Sequence, residues 1–194
     1  MNQSNQISNT GTRAKQRIST KDLVLTGMFT AVISVMAQIT IPIQPIPFTL
    51  QLIAVFLAGA LLTPKYAFIS VFVYLLLGAA GVPVFSNFEG GISRLVGPTG
   101  GYLMAFPLMS FVTALFYRQA KSLKMLALVL GMLLSLVLCY FLGTAWFTAT
   151  NTSGFGFMKS LSLCVYPFIF FDTLKIALAV SLSLVIRKAL KNNL

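Results

Sequence analysis

The sequence predicts an all-α membrane protein with six transmembrane helices and both termini in the cytoplasm. Hydrophobic residues make up 57% of its 194 residues and charged residues only 9%, whereas soluble domains carry roughly 25% charged residues. Apolar stretches recur along the chain at about the 20-residue length that crosses a bilayer. Short connections separate these stretches, so we expect no soluble catalytic domain.

The chain divides into a tail and one membrane domain. Residues 1–20 are polar and basic and show no apolar periodicity, so they are predicted to form a disordered cytoplasmic tail. Residues 21–194 are predicted to form a single six-helix domain with its ligand site toward the extracellular side. The predicted helices cover residues 22–41, 49–63, 66–82, 101–118, 124–148 and 160–187.

The first apolar run extends from Leu23 to Ile41 and follows positive charge, as a signal peptide would. It has nearly full membrane length and lacks a small-residue cleavage site, so it is predicted to be retained as the first helix. The second helix is short for a full span, and only Pro64 and Lys65 lie between its predicted end and the start of the third.

Basic residues collect at the helix ends that this topology places in the cytoplasm. Eleven of the fourteen lysines and arginines lie there; Arg94 and Lys159 fall outside, and Lys175 lies inside the membrane. The eleven are Arg13, Lys15, Arg17, Lys21, Lys65, Arg118, Lys121, Lys124, Arg187, Lys188 and Lys191. The net charge of +11 therefore indicates topology and contact with anionic membrane lipid, and it requires no nucleic-acid partner.

Histidine is absent from the sequence, and cysteine occurs twice. Zinc, haem and the usual serine or cysteine hydrolase sites thereby lose their common ligands and bases, so we expect no metal, cofactor or catalytic residue. Cys139 and Cys164 lie in apolar runs and are predicted to be small buried hydrophobic side chains. The sequence has no G-x-x-x-x-G-K-[ST] element, so ATP hydrolysis by the P-loop route is excluded.

Asp172 and Lys175 lie in the middle of the apolar stretch from Pro167 to Ile186, in a chain with only three acidic residues. An ionisable group at membrane depth costs about 2.5 to 3.5 kcal/mol on insertion scales and usually faces a cavity, a partner or a substrate. The two residues are three apart, on one helix face. They are predicted to bind a polar ligand; an internal salt bridge that holds the last helix is the alternative.

Seven of the fourteen glycines fall between Gly78 and Gly101. This segment is too broken for a regular helix and too long for a simple connector, which is typical of backbone that lines a cavity. A surface loop whose glycines only make turns is the alternative. Asn87 offers an amide, Arg94 a cation, and the amides of Gly97 to Gly101 a set of donors for a ligand.

Residues Val82 to Phe106, VPVFSNFEGGISRLVGPTGGYLMAF, resemble the signature region of the BioY family, the biotin-binding S components of energy-coupling factor (ECF) transporters. Pro47 to Gln51 (PFTLQ) resemble the family's motif before the second helix. Phe171 to Lys175 (FDTLK) resemble its Asp-x-x-Lys element in the last helix. The resemblance covers most of the chain from the first helix onward. Glu89 stands where a small or neutral residue is expected in many relatives, so no role is assigned to it.

The resemblance implies an S-component bundle in the bacterial cell membrane that captures biotin from outside with high affinity. A transmembrane coupling (T) protein and two ATP-binding cassette ATPases would complete transport, so the chain itself would bind its ligand and would not be an enzyme. The glycine-rich segment, or the proline-rich one from Pro42 to Pro47, is expected to close over the ligand, because affinity at the nanomolar level requires a largely enclosed site.

The substrate-binding residues implied by the resemblance divide into two groups. Asp172 and Lys175 match the ureido ring, which presents two N–H donors and a carbonyl acceptor. Asn87, Arg94 and the loop amides match the carboxylate, and the reverse orientation of biotin stays open. Aromatic side chains would hold the apolar part, namely Phe85, Tyr102 and Phe170.

Helix one carries Gly27 and Ala31 at small-xxx-small spacing, which allows another helix to approach closely. Thr30 and Ser34 repeat the spacing on the neighbouring face. The resemblance implies that Gly27 and Ala31 bind the coupling protein; spacing alone leaves packing within this chain equally open.

Two other classes of function stay open at this point. A self-contained secondary transporter of a small carboxylated metabolite would also place Asp172 and Lys175 at mid-depth, although no inverted repeat is evident. An intramembrane enzyme would need a serine or threonine beside Lys175, and no motif supports such a dyad.

Overall fold

The structure is a computed structural model that describes residues 19–41, 47–150, 154 and 156–192, with side chains as far as residue 189. Most of the predicted tail, residues 1–18, lies outside the described residues. So do residues 42–46 of the proline-rich segment that was expected to act as a lid, and the side chain of Lys191.

The described chain is almost entirely helical. Its elements are α1 (Thr20–Gln38), β1 (Thr40–Ile41), β2 (Phe48–Thr49), α2 (Gln51–Leu61), α3 (Pro64–Ala79), a 3₁₀ turn (Ser86–Phe88), α4 (Ile92–Val96), α5 (Gly100–Gln119), α6 (Lys124–Thr150), α7 (Phe157–Cys164) and α8 (Tyr166–Asn192). The two short strands pair antiparallel, with Thr40 opposite Thr49 and Ile41 opposite Phe48.

Each predicted helix has a counterpart, but the sixth one is not continuous. Residues 157–164 form α7, and α8 begins at Tyr166 after a break at Val165 (φ −119°, ψ −51°). Pro167 explains the break, because proline has no amide hydrogen and is tolerated only in the first turn of a helix. The prediction of one unbroken helix over 160–187 is therefore wrong.

Four of the described helices are long and apolar enough to cross a membrane: Thr20–Gln38, Gly100–Gln119, Lys124–Thr150 and Tyr166–Ala189. Helices α2 and α3 are apolar but shorter. At 1.5 Å per residue the eleven residues of α2 extend about 17 Å, well below the bilayer's hydrocarbon thickness of about 30 Å. The chain is a multi-pass membrane protein.

Helix α2 lies at the centre of the bundle, where it contacts α1, α3, α5 and α8. Every residue from Gln51 to Ala60 is buried, as expected for a helix that is apolar on all sides. The outer faces of α6 and α8 instead expose large apolar side chains such as Val137, Phe141 and Leu174. Such faces suit contact with lipid.

Small residues allow the central helices to approach closely. A Cβ atom added at Gly59 in α2 would lie 2.7 Å from the carbonyl oxygen of Ser110 and from Cβ of Thr113, both in α5. Between α6 and α5, a Cβ atom at Gly131 would lie 2.8 Å from Phe116. These contacts fix α5 between α2 and α6, and all three helices line the cavity described below.

The glycine-rich segment is irregular, as predicted, although it contains the 3₁₀ turn and the five-residue α4. The Phe85 amide donates to the Glu89 carbonyl (2.9 Å), and the Gly91 amide donates to the Gly78 carbonyl (2.7 Å). The Phe85 ring packs into the space that a side chain at Gly78 would occupy, and it meets Tyr74 edge-on at 5.5 Å. The segment is thus a folded cap on the end of α3.

Candidate functional site

A cavity lies between α2, α5, α6 and α8, with the β2 strand and the glycine-rich segment at its edge. It measures about 710 Å³ when the space at its open mouth is included. The lining is mostly apolar. The polar residues of the lining come from β2, the helices and the loops, namely Thr49, Gln51, Ser86, Thr99, Tyr102, Tyr140, Asp172 and Lys175.

Asp172 and Lys175, which the sequence predicts to bind the ligand, both line this cavity. Each is only 5% exposed. The Lys175 ammonium donates to the Asp172 carboxylate, with 2.8 Å between Nζ and Oδ1. Their spacing of three residues on α8 brings the two charges together on the face that meets the cavity. Pairing offsets part of the cost of taking both charges out of water.

Tyr140 of α6 completes this cluster. Its hydroxyl donates to the second carboxylate oxygen of Asp172, with 2.6 Å between the oxygens. Both oxygens of Asp172 therefore have a partner on the protein, and each keeps free acceptor capacity for a ligand. Nothing in the sequence singles out Tyr140, because one tyrosine in an apolar helix usually indicates packing or an interface.

Phe48 covers the lysine side of the cluster. The Lys175 ammonium lies 3.9 Å from the centroid of the Phe48 ring, a cation–π contact. Phe171 meets the same ring edge-on at 5.3 Å. The strand pair β1–β2 fixes the backbone at Phe48, which is opposite Ile41. The PFTLQ motif therefore contributes an aromatic ring that covers the Lys175 ammonium.

Gln51, the last residue of that motif, lines the cavity from the first turn of α2. Its side-chain oxygen accepts a hydrogen bond from the Tyr74 hydroxyl at 3.0 Å. This bond orients the amide and leaves its NH₂ group as the donor that can serve a ligand. The motif suggested the position, but the sequence did not indicate this partner.

Tyr102, another residue that the sequence predicts to bind the ligand, also lines the cavity. Its hydroxyl lies 2.9 Å from Oγ1 of Thr144. The ring fills the space that a side chain at Gly143 would take, so α5 and α6 are in close contact there. Cys139 and Cys164 are buried free thiols beside this ring, and both line the cavity.

Asn87 and Arg94 are not among the residues that line the cavity. Arg94 forms an ion pair with Glu89, and both side chains are partly exposed. Asn87 adopts a left-handed backbone conformation (φ 62°, ψ 31°) in the 3₁₀ turn. Their roles as ligands stay predictions, while the neighbouring Ser86 and Thr99 reach the cavity.

Two amides of the GPTGG element are occupied within the segment. Those of Gly97 and Gly100 donate to the carbonyls of Ser93 and Gly97. The expectation of free donors is therefore wrong for these two amides, and it stays a prediction for Thr99 and Gly101. The Trp146 indole N–H donates to the Gly97 carbonyl (2.9 Å). The Trp146 side chain also occupies the space that a side chain at Gly101 would need. Close packing explains these glycines.

The expected aromatic walls are only partly correct. Phe170 is 73% exposed and points away from the cavity, whereas Phe168 lines it. Phe85 is buried against Tyr74 beneath the glycine-rich segment. Phe168 lines the cavity in place of Phe170 because of the helical period. Residues 168, 172 and 175 share one face of α8, and residue 170 lies on the other.

Gly27 and Ala31 lie on an exposed face of α1. A Cβ atom added at Gly27 would meet nothing within 4 Å. The neighbouring face is used within the chain, since the Thr30 hydroxyl donates to the Ser70 carbonyl of α3 at 2.8 Å. Packing of Gly27 against another described helix of this chain, the alternative left open by the spacing, is therefore excluded.

Comparison with known protein families identifies the family of this chain. The model of the BioY family matches residues 9–192. The chain belongs to the BioY family. It is 41% identical over 160 residues to a probable biotin transporter BioY of Pyrococcus horikoshii, with coverage of 82% of this chain and 92% of the relative. It is 36% identical over 184 residues to the biotin transporter BioY of Thermotoga maritima, with coverage of 87% and 96%.

Solved structures agree with this membership. A crystal structure of the S-component for biotin from an ECF-type ABC transporter matches with a TM-score of 0.79 and 32% identity, covering 87% of this chain and 91% of that one. The S component of a bacterial ECF transporter matches with a TM-score of 0.54 and 15% identity, which shows a shared fold. BioY proteins are transporter components, so the chain belongs to no enzyme family.

Proposed function

We propose that this chain is the high-affinity biotin-binding S component of an ECF-type vitamin uptake transporter. The observation that carries the proposal is the cluster of Asp172, Lys175 and Tyr140, buried in an apolar cavity of a BioY-family chain. Relatives of this family are named biotin transporters, and a solved relative is described as the S-component for biotin.

The chemistry of the cluster fits the ureido ring of biotin. The carboxylate of Asp172 accepts from a ring N–H, and the ammonium of Lys175 donates to the ring carbonyl. Because the two charges already neutralise each other, a neutral ring can join them without leaving either charge unpaired. The bicyclic ring then rests among Phe48, Tyr102 and Phe168, which line the same cavity.

The carboxylate of biotin is then directed to the loop edge of the cavity. Ser86 and Thr99 offer hydroxyl donors there, and Asn87 and Arg94 are close to them in sequence. We propose that Asn87 and Arg94 bind the carboxylate after Arg94 exchanges its partner Glu89 for the ligand. The carboxylate competes well for a guanidinium, because a bidentate pair of hydrogen bonds can form.

The proposed arrangement in the bacterial cell membrane has six transmembrane helices in residues 21–194 and both termini in the cytoplasm. The location of basic side chains supports it. Arg187 donates to the Ala60 carbonyl at the end of α2 and lies 4.0 Å over the Tyr117 ring at the end of α5, next to Arg118. Lys65 follows α2 directly, so this basic end of the bundle is the cytoplasmic one.

The remaining proposal concerns the partners. A transmembrane coupling protein docks on the face of α1 that carries Gly27 and Ala31, and two ATP-binding cassette ATPases supply the work. Two features support this role. The face is exposed, and no side chain among the described residues stands within 4 Å of a Cβ atom placed at Gly27, so a partner helix can approach closely.

Uptake of labelled biotin in cells tests the function, with the chain expressed alone or together with a coupling protein and ATPases of the ECF type. We expect binding by cells in both cases and accumulation only with the partners. An Ala31→Leu variant should bind biotin normally yet fail to assemble with the coupling protein in co-purification, because leucine blocks close approach. Accumulation by the chain alone would instead indicate a secondary transporter.

A further inference from the structure

One polar side chain links α1 to the glycine-rich segment across 46 to 50 residues of sequence. The Nε2 amide of Gln38 lies 3.2 Å from the carbonyl oxygen of Val84 and 3.1 Å from that of Phe85. Its Oε1 accepts from the Phe88 amide at 2.9 Å. The same Nε2 lies 3.1 Å from the carbonyl oxygen of Ser34 in its own helix, so its two hydrogens are shared among these three carbonyl oxygens.

The segment that Gln38 holds has an unfavourable backbone. Asn87 (φ 62°) and Phe88 (φ 56°) are consecutive residues in the left-handed region, and glycine is the residue that adopts it without cost. A bulky residue is strained in this region and keeps such a conformation only when its surroundings impose it. Phe88 is 72% exposed, so packing of its own ring does not supply that force.

The same segment forms an edge of the cavity, because Ser86 lines it. Phe85 anchors one side of the turn beneath the loop, against Gly78 and Tyr74. Gln38 fixes the other side from α1 through the three bonds just described. The turn is thus clamped between two helices, and the clamp determines where Ser86 and Asn87 stand relative to the cavity.

We propose that Gln38 is a positioning residue of the ligand site, which holds residues 84–88 in the conformation that closes over bound biotin. The inference rests on the proposed function. Gln38 does not line the cavity and acts only through the loop. Loss of the clamp allows the loop to relax out of its left-handed turn, so bound ligand escapes faster while its entry is little changed.

Two variants and a control separate this role from simple stability. Gln38→Leu removes every bond of the clamp, and Gln38→Glu keeps the acceptor for Phe88 while removing both donors. We expect biotin dissociation from the purified chain to be at least tenfold faster in both, with association changed less than threefold. Gln119→Leu, the same replacement on the exposed end of α5, should behave as the wild type.

A second substitution that restores slow dissociation provides the sharper test, because it relieves the strain of the backbone at residue 88 without restoring the hydrogen bonds of Gln38. In the Gln38→Leu background, Phe88→Gly removes the cost of positive φ and should slow dissociation again by at least threefold. Phe88→Ala removes the same ring but keeps the cost, so it should not rescue. Equal rescue by both would overturn the inference. So would a folded Gln38→Leu protein whose dissociation rate stays within twofold of wild type, or failure of both Gln38 variants to fold.

A measurement without biotin keeps this inference separate from the proposed function. Hydrogen exchange of the Phe88 amide in the ligand-free chain should be at least tenfold faster in Gln38→Leu than in wild type, while amides in α2 exchange unchanged. Absence of biotin binding by wild type would overturn the proposed function, whatever the exchange result. Unchanged exchange at Phe88 would overturn the clamp, even if biotin binds.

Discussion

Asp172 and Lys175 form an ion pair that is almost completely buried, and such a pair is a poor source of stability. The free-energy cost of desolvating the two charges offsets most of the free energy of their attraction. Apolar replacements of similar volume are therefore often neutral or stabilising. Breaking the pair from one side is different, because it leaves a buried charge without a partner and costs about 3 to 5 kcal/mol. The stability of a variant that replaces both residues therefore shows whether the ion pair itself stabilises the fold, independently of its role in binding.

The double variant Asp172→Asn/Lys175→Met should therefore fold more stably than either single variant. Its two neutral side chains leave no buried charge, and methionine fills the volume of the lysine stem. Melting temperatures of the purified proteins in one detergent, without ligand, measure this order. A double variant that melts as low as the worse single variant would show that the ion pair itself holds α8 in place.

Tyr140 should contribute to affinity through Asp172. Tyr140→Phe removes a charge-assisted hydrogen bond of 2.6 Å, and bonds of this type are worth about 1.5 to 3 kcal/mol. Without it, the Asp172 carboxylate is held on one oxygen only and is less well oriented for the ligand. We expect the dissociation constant for biotin to rise about tenfold, which corresponds to about 1.4 kcal/mol. Tyr166→Phe, at an exposed tyrosine, is the matched control. An unchanged constant in Tyr140→Phe would remove Tyr140 from the site.

At the residue scale, the sequence could predict the charges but not their partners. Asp172 and Lys175 stand out because ionisable groups in an apolar run are rare and costly. Tyr140 and Gln38 are ordinary components of helices, and their roles depend on which distant segment lies opposite. Arg94 illustrates the reverse case, because its sequence position suggested a ligand while its side chain pairs with Glu89 at the loop.

At the scale of elements, the contact of α5 with α6 sets the position of Tyr102 in the cavity. Gly143 allows this contact, because the Tyr102 ring occupies the space of its missing side chain. Glycine inside an exposed helix normally costs up to about 1 kcal/mol relative to alanine. Close packing reverses that preference here, so the same substitution should have opposite effects at two helical glycines.

Gly143→Ala should lower the melting temperature and weaken biotin binding, because the added methyl group displaces Tyr102 and separates the helices. Gly27→Ala, in α1 with nothing within 4 Å, should raise the melting temperature slightly through helix propensity. The two proteins are compared by thermal melting in the same detergent. A stabilising Gly143→Ala substitution would contradict the close packing of α5 on α6.

The sequence predicted the helices well because apolar length is a local property, and their ends differ by a few residues at most sites. It missed the break between α7 and α8, since Val165 and Tyr166 are apolar like their neighbours and only Pro167 marks the change. The order within the glycine-rich segment was also missed. Its 3₁₀ turn is hydrogen-bonded to Gln38 and its Gly97 carbonyl to Trp146, and both partners are remote in sequence.

At the scale of the whole molecule, the bundle has one basic end and one end that carries the glycine-rich segment. The basic residues of α3, α5 and α8 gather at the first end, as the contacts of Arg187 with Ala60 and Tyr117 require. By the positive-inside rule, the proposed topology has this end in the cytoplasm. In that topology, the loop edge of the cavity, which includes Ser86, lies on the extracellular side.

This orientation can be measured with single cysteines. Ser122→Cys lies in the exposed α5–α6 connection at the basic end, and Gly156→Cys lies before α7 at the other end. A membrane-impermeant maleimide added to intact cells should label Gly156→Cys and leave Ser122→Cys unlabelled until the membrane is opened. Cys139 and Cys164 are buried and provide a low background. The opposite labelling pattern would invert the proposed topology.

Titration of the purified chain with biotin, without any partner protein, tests the central claim most directly. The claim is that this chain alone holds biotin through the Asp172–Lys175 pair. We predict one-to-one binding with nanomolar affinity by wild type, and binding weakened at least a hundredfold in the folded Asp172→Asn/Lys175→Met variant. Undiminished binding by that variant, or no binding by a well-folded wild type, would contradict the account.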